Sequence, residues 1–206
     1  MTWKFDKAVA KTFAEHVRRH IPNYEQVINQ SVEICNLYKK DSKIIDVGCA
    51  IGETLTQLHT TGFTNIYGVD NSQDMLDQCP KVATLINSNS FPIDVFDVVL
   101  INWTLHFIKD KEQYLKDVFD NLAVGGTLVL SEKTSLDPFA IKMYHNFKRS
   151  QGVSEEEIRI KEQRTKDVMF IDSADWYLTM LKNIGFSKVY IINASWCFTT
   201  FVCIKS

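Results

Sequence analysis

The sequence lacks any continuous apolar run of the roughly eighteen residues that a membrane-spanning helix needs, so no membrane partner is expected. Residues 1–7 also lack the apolar core of a signal peptide. The five cysteines are scattered, odd in number and without a C-x-x-C pair, which predicts neither a disulfide framework nor a metal site. These absences together favour a protein of the reducing cytoplasm.

An excess of basic residues is missing as well. The chain has 23 lysines and arginines against 25 aspartates and glutamates, so nucleic acid is not expected as a partner, because proteins that bind it usually present a strongly basic surface.

Repeats and Gly/Ser linkers are absent too, and 206 residues suffice for one domain with a full core. We predict a single domain over 1–206, with an N-terminal helical cap at 1–40 and a helical insertion or lid at 137–167.

Short apolar runs of strand type alternate with segments of helical spacing along most of the chain. The predicted strands are 43–47, 65–70, 82–86, 96–102, 127–130, 187–193 and 196–204. Alternation of this kind predicts an α/β fold with a doubly wound, mostly parallel seven-stranded sheet and helices on both faces. The last two strands have no helix between them, so an antiparallel strand is expected at the sheet edge.

The turn after the first predicted strand carries the pattern with the most chemical meaning. Gly48 allows a sharp turn and leaves room for a ligand, and Asp70, which ends the second strand, can accept hydrogen bonds from ribose hydroxyls. Gly48 and Gly52 do not fit the G-x-G-x-x-G spacing of dinucleotide sites. Glu53, at the start of the next helix, would repel a phosphate. The combination favours S-adenosylmethionine (SAM), a nucleoside with a positive end and no phosphate.

Longer motifs extend this pattern into a family resemblance. The segments 46–52 and 68–72 resemble the SAM-binding signature of class I methyltransferases. Further motifs over nearly the whole chain resemble the carboxy-S-adenosyl-L-methionine synthase family: Phe5-Asp6, Val9-Ala10, Phe13, Ile21 to Tyr24, Asn102 to Phe107, Gly125 to Lys133, Asn146 to Arg149, Val168-Met169 and Asp172-Ser173. The resemblance implies a Rossmann-like methyltransferase fold, prephenate as carboxyl donor and a homodimer.

The predicted cofactor-binding residues come mainly from that resemblance. They are Tyr24, Asp46, Gly48, Cys49, Ala50, Asp70, Asn71, Asn87, Ser88 and Asn102. The family's aspartate beside the adenine is replaced by Asn87, whose amide can still hydrogen-bond the base. The resemblance implies an arginine that binds the carboxylate of the product, and an ungapped alignment places Glu162 at that position. A local shift of the alignment could place Arg164 there instead.

No catalytic residue is identified from the sequence, because SAM carries its own leaving group and catalysis is largely positioning. The candidates are Tyr24, Asn102, Trp103, His106, His145 and Arg164. Aromatic faces of Tyr24 and Trp103 could flank the sulfonium, with core packing as the alternative. His106 or His145 could be a general base, with a structural or solvated histidine as the alternative. The mixed charges of 142–166 are interpreted as a hydrated surface helix, with a lid as the alternative.

The leading functional hypothesis is a SAM-dependent methyltransferase that acts on a small molecule by in-line displacement. The alternative keeps SAM but modifies SAM itself, by carboxyl transfer, cyclisation or lyase chemistry. A third hypothesis is a SAM-binding partner subunit without turnover. An NAD-dependent enzyme is disfavoured by the glycine spacing.

Overall fold

A computed structural model describes residues 5–135 and 137–206. Its strands are β1 (Ile44–Val47), β2 (Ile66–Asp70), β3 (Thr84–Asn87), β4 (Phe96–Asn102), β5 (Leu122–Lys133), β6 (Lys188–Ser195) and β7 (Phe198–Ile204). Its helices are α1 (Lys7–His20), α2 (Tyr24–Cys35), α3 (Glu53–Thr60), α4 (Gln73–Leu76), α5 (Lys111–Asp120), α6 (Pro138–Ser150), α7 (Glu155–Thr165) and α8 (Ala174–Ile184). A 3₁₀ turn follows β4 at Leu105–Phe107.

The seven strands form one sheet in the order β3-β2-β1-β4-β5-β7-β6. The first five strands of that order run parallel, and β7 is antiparallel to both of its neighbours. The predicted doubly wound, mostly parallel seven-stranded sheet is therefore confirmed. The last strand lies between β5 and β6, because the closing hairpin folds back into the sheet. The strand order reverses between β1 and β4, which is where doubly wound folds bind ligands.

Local sequence signals explain most helix boundaries. Side chains of Ser72, Asp110, Ser154 and Ser173 accept backbone N–H bonds at the first turns of α4, α5, α7 and α8, as N-caps do. Gly185 ends α8 with φ 125°, a conformation that favours glycine. The predicted helical segment 137–167 forms two helices, α6 and α7.

The core consists of two layers, one on each face of the sheet. One buried cluster joins the sheet to α5 and α8, and another joins it to α2 and α3. Helices α1, α6 and α7 lie instead around the carboxyl ends of the strands, where they border a cavity. The assignment of 1–40 as a cap and of 137–167 as a lid stays a prediction. None of the helices in 5–135 and 137–206 combines the length and apolar character needed to cross a membrane.

Candidate functional site

A cavity of about 540 Å³ lies at the carboxyl edge of the sheet. Its floor is the turn after β1, and its walls come from the ends of β2 and β4 and from α1, α2, α6 and α7. Nine of the ten predicted cofactor-binding residues line it: Tyr24, Asp46, Gly48, Cys49, Ala50, Asp70, Asn71, Ser88 and Asn102. The sheet therefore brings together most of the residues that the sequence suggested.

The turn after β1 requires glycine at its first position. Gly48 has φ 71°, and a Cβ added there would lie 2.0 Å from Thr104 Oγ1. Thr104 Oγ1 itself donates to Val47 O over 3.1 Å, so it has a fixed place behind the turn. Ala50 also adopts a positive φ, 48°. Non-glycine residues in this region carry backbone strain, which is common at ligand-binding turns.

Asp70 is held at the end of β2 by backbone donors. Its Oδ2 accepts the N–H of Ala50 at 3.0 Å, and its Oδ1 accepts the N–H of Ser72 at 2.8 Å. Burial raises the pKa of Asp70, while these N–H groups oppose the rise. The carboxylate thus has a fixed orientation and keeps lone pairs that can accept further hydroxyl groups.

Asp46 is the most buried acid of the cavity, with 4% of its surface exposed. Burial raises the pKa of Asp46 to about 7; a hydrogen bond with Thr54 lowers it, and the charge of Asp70 raises it further. A buried carboxyl that titrates near neutrality responds strongly to a nearby cation, which favours the ionised form.

Asn102 ends β4, Trp103 follows it directly, and both face α2. Asn102 Nδ2 donates to Ser31 Oγ at 3.5 Å, whereas its buried Oδ1 has no hydrogen-bond partner in the described residues. Trp103 has φ 58° and stacks on Tyr24, with ring centroids 4.9 Å apart and ring planes 24° apart. Because Asn102 borders the cavity, its unpaired Oδ1 indicates that a bound ligand would donate a hydrogen bond to it.

An ion pair that could not be predicted from the sequence joins α1 to the first residue of α3, just after the turn that follows β1. Arg18 Nη2 donates to Glu53 Oε1, and Tyr24 OH donates to Glu53 Oε2 at 3.3 Å. Arg18 also pairs with Glu25, so it offsets the negative charge of Glu53 only in part. The repulsion of a phosphate by Glu53 stays a prediction, as does the argument from the glycine spacing against a dinucleotide.

His106 lines the cavity, and Nδ1, one of its two ring nitrogens, is engaged. Nδ1 lies 2.6 Å from Glu132 Oε2, and Glu132 also accepts the backbone N–H groups of Thr104, Leu105 and His106. Glu132 is completely buried. One carboxylate therefore organises the segment 104–106, which directly follows Asn102 and Trp103.

Comparisons with known proteins agree with this geometry. A family model described as a methyltransferase domain matches residues 45–130. A carboxy-S-adenosyl-L-methionine synthase of Pseudoalteromonas translucida is 31% identical over 98% of this chain and 93% of its own length. The protein of the same name from Colwellia psychrerythraea is 32% identical over 98% and 91%. This chain belongs to the carboxy-S-adenosyl-L-methionine synthase family.

Solved structures share the fold at low sequence identity. A SAM-dependent methyltransferase from Archaeoglobus fulgidus aligns with a TM-score of 0.67, 12% identity and coverage of 94% of this chain and 99% of its own. Magnesium protoporphyrin IX methyltransferase from Synechocystis PCC 6803 aligns with a TM-score of 0.66, 12% identity and coverage of 92% and 86%. The predicted family resemblance, the methyltransferase fold and a SAM-dependent transferase are therefore confirmed.

Asn87, which the resemblance places beside the adenine, is not among the residues that line the cavity. Asn87 pairs with Asp70 in the sheet register, but its Nδ2 donates to Gln73 Oε1 at 2.8 Å and its side chain is exposed. Ser88 and Asn89 line the cavity instead. Asn89 was not predicted; its Oδ1 accepts from Asn71 Nδ2 at 2.9 Å.

The position at which the resemblance implies a carboxylate-binding arginine is an acid in this chain. Glu162 lines the cavity, and its Oε1 lies 2.5 Å from His145 Nε2. Arg164 is exposed on α7 and is not among the residues that line the cavity, so the local shift that would bring it in is absent. His145 is also outside the cavity lining.

Three lysines that the sequence did not single out line the same cavity. Lys133 ends β5, Lys148 lies on α6 and Lys161 on α7. Lys148 is only 2% exposed, so the interpretation of 142–166 as a hydrated surface helix is wrong for this side chain. Lys133 and Lys148 lie within the motifs Gly125 to Lys133 and Asn146 to Arg149 that carry the resemblance, whereas Lys161 has no local signal.

Proposed function

We propose that this chain transfers a carboxyl group to SAM from a small organic carboxylate. The observation that carries the proposal is the cavity, in which a SAM-type turn is enclosed by helices of the same chain. Its volume of about 540 Å³ lies within the range of about 300–1,000 Å³ for small-ligand pockets. SAM and one small molecule would fill it, which favours chemistry on SAM itself or on a small acceptor. We favour carboxyl transfer because the relatives are named carboxy-S-adenosyl-L-methionine synthases.

The residues present fit SAM. Asp70 would accept the ribose hydroxyls with its remaining lone pairs, and the unpaired Oδ1 of Asn102 would accept from the ammonium of the methionine part. Gly48 to Ala50 would pass beneath that part, and Asp46 would balance its positive charge. Ser88 and Asn71 would flank the adenine, with Asn89 beside them.

SAM is a substrate in this reaction and supplies an activated methyl carbon. A carbon–carbon bond would form between the donated carboxyl carbon and that methyl carbon, which loses one proton. With prephenate as donor, its bond to the carboxyl carbon breaks, hydroxide leaves, and the ring becomes aromatic. The hydroxide takes up the proton as water, so electrons balance without a redox partner. The protein would hold both molecules, with Tyr24 and Trp103 excluding water.

Mass spectrometry of the reaction products tests this proposal. We expect SAM with prephenate to yield a sulfonium heavier than SAM by one carbon dioxide, together with phenylpyruvate. SAM alone should remain intact, and so should SAM with heat-inactivated protein. Consumption of SAM without prephenate would contradict the proposal and support cyclase or lyase chemistry instead.

Methyl transfer to a small acceptor is the second candidate. Glu162 favours it, because an acid stands at the position where the family resemblance implies an arginine for the carboxylate. Formation of S-adenosylhomocysteine with a small acceptor, and no carboxylated product with prephenate, would establish it. The homodimer implied by the resemblance and the cytoplasmic location stay predictions, and light scattering of the purified protein tests the former.

SAM affinity is expected to fall as the pH drops through 7. Asp46 has a pKa of about 7 in the ligand-free protein, and a positively charged ligand binds the ionised form better. Protonation of Lys148 and Lys161 acts in the same direction by repelling SAM. In Asp46→Asn we expect weaker binding above pH 7 and a shallower pH profile. Calorimetry across this range checks it, and an unchanged profile in the variant would exclude Asp46 as the titrating group.

A further inference from the structure

The imidazole ring of His106 is held in place from three sides. Its Nδ1 lies 2.6 Å from Glu132 Oε2, and its backbone N–H donates to the same oxygen at 2.8 Å. Its backbone carbonyl accepts the N–H of Phe170 at 2.7 Å. Only 3% of the residue is exposed. A histidine that is fixed in this way keeps one ring orientation, which proton transfer to a bound molecule requires.

Glu132 determines which nitrogen of the ring carries the proton. Its Oε1 accepts the N–H groups of Thr104 and Leu105, and its Oε2 accepts that of His106. Both oxygens of this fully buried carboxylate therefore act as acceptors. Nδ1 must then be the donor in its contact with Oε2, so the neutral ring has its lone pair on Nε2.

The second ring nitrogen, Nε2, is open to the cavity. Within the part of the chain that the structure describes, this atom makes no hydrogen bond. Nor is it one of the fully enclosed, unpaired polar atoms of those residues. Since His106 lines the cavity, Nε2 lies at the cavity surface, where a bound molecule can contact it.

The segment that carries His106 also contacts the predicted SAM turn. Thr104, two residues before His106, donates from Oγ1 to Val47 O at 3.1 Å. The same Oγ1 would lie 2.0 Å from a Cβ added at Gly48. The imidazole and the turn therefore belong to one continuous wall of the cavity.

The other histidines are less suited to exchange a proton with a bound molecule. His145 lies outside the cavity lining, and its Nε2 contacts a carboxylate of α7. Burial and neighbouring cations lower the pKa of His16 to about 3 and that of His20 to about 2, so both stay neutral near pH 7. His59 is exposed at the end of α3.

We propose that His106, oriented by Glu132, carries the proton that the methyl carbon of SAM loses in the proposed function. This inference rests on that function, because the methyl carbon loses a proton only when it bonds to the donated carboxyl carbon. His106 then acts as a general base and afterwards as a general acid. Glu132 is a positioning residue, since it acts through the imidazole.

The atoms and electrons of this proton transfer balance. The carbon–hydrogen bond of the methyl group breaks, its electron pair forms the new carbon–carbon bond, and Nε2 accepts the proton. When the carbon–oxygen bond of prephenate breaks, its electron pair stays with the hydroxyl oxygen, which takes the proton from the imidazolium. Water leaves, the ring of His106 is neutral again, and neither an oxidant nor a reductant is needed.

His106→Asn separates proton transfer from the structural contact with Glu132. The amide nitrogen of asparagine takes the place of Nδ1 and keeps a donor for Glu132, whereas no atom replaces Nε2. We expect kcat for carboxylated SAM to fall about 100-fold, because general acid–base catalysis is lost. The KM for prephenate, the Kd for SAM and the melting temperature should change little. His59→Asn, at an exposed position, is the matched control and should leave kcat unchanged.

Added imidazole provides a second test in a different variant. His106→Ala leaves space beside Glu132 that a free imidazole can occupy, so imidazole should restore activity in a saturable manner. Imidazoles of different basicity should restore different rates, because proton transfer follows Brønsted behaviour. The same rate with every imidazole would indicate that the ring only fills space, which would overturn the inference.

NMR of the ring nitrogens gives a readout that does not depend on turnover. In protein with isotope-labelled histidine, the signal that is missing in His106→Asn belongs to His106. We expect the neutral ring to carry its proton on Nδ1 and its lone pair on Nε2. A neutral ring with the proton on Nε2 would contradict the orientation by Glu132.

The results distinguish this inference from the proposed function. Carboxylated SAM made by His106→Asn at the wild-type rate would support the reaction and assign the proton transfer to another group. A loss of activity that comes entirely from a higher KM or a lower melting temperature would also overturn the role of His106. Absence of carboxylated SAM with the wild-type protein would overturn the proposed function and, with it, this inference.

Discussion

Asp70→Asn is expected to weaken SAM binding by about 100-fold or more while leaving the protein folded. A carboxylate that accepts two ribose hydroxyls makes two charge-assisted hydrogen bonds, each worth about 1.5–3 kcal/mol. Asparagine retains one acceptor oxygen, so the N–H groups of Ala50 and Ser72 keep part of their pairing. Calorimetry with SAM measures the loss, and circular dichroism verifies the fold.

Asp120→Asn is the matched control for Asp70→Asn. Asp120→Asn removes the same charge from an exposed position at the end of α5 and should leave the Kd for SAM unchanged. Asn87→Ala should also have a small effect, because Asn87 contacts Gln73 outside the cavity. Wild-type affinity in Asp70→Asn, or a large loss in Asn87→Ala, would mean that the adenosine part binds elsewhere.

Glu132→Ala is expected to lower the free energy of unfolding by about 3–5 kcal/mol, the range for breaking a buried charged network. Glu132 is fully buried and accepts three backbone N–H groups in addition to the contact with His106. Its removal leaves all of these donors unpaired in the interior. Urea denaturation measures the change. The protein should also bind SAM more weakly, because the segment that directly follows Asn102 and Trp103 loosens.

The control for this stability change is an exposed glutamate. Among the residues that the structure describes, Glu112 pairs only with Lys116, on the surface of α5, so Glu112→Ala should alter stability by about 0.5 kcal/mol or less. Glu132→Gln, which keeps one acceptor, should fall between the two. Equal stability of Glu132→Ala and Glu112→Ala would show that the buried network contributes nothing.

The fold could be predicted because the sequence features that determine it are local. The alternation of strands and helices fixes the doubly wound sheet, and Ser72 and Gly185 mark helix boundaries through their own backbone chemistry. Gly48 and Asp70 could be identified for the same reason, since both lie at strand ends that a parallel sheet must bring together. The order of β6 and β7 was not predictable, because a hairpin can fold onto the sheet by either strand.

Residues whose role depends on distant partners escaped prediction. Arg18 contacts Glu53 across 35 positions of sequence. Lys133, Lys148 and Lys161 reach the cavity from β5, α6 and α7. Lys148 and Lys161 resemble ordinary surface charges in the sequence, since only tertiary packing buries them. Asn87 shows the converse: it ends β3 beside Asp70, but its side chain contacts Gln73 and not the cavity.

Mass spectrometry of the small molecule that stays bound through purification tests the central claim most directly. The account predicts a phosphate-free adenosyl sulfonium that is heavier than SAM by one carbon dioxide. A nicotinamide dinucleotide in the same position would contradict it.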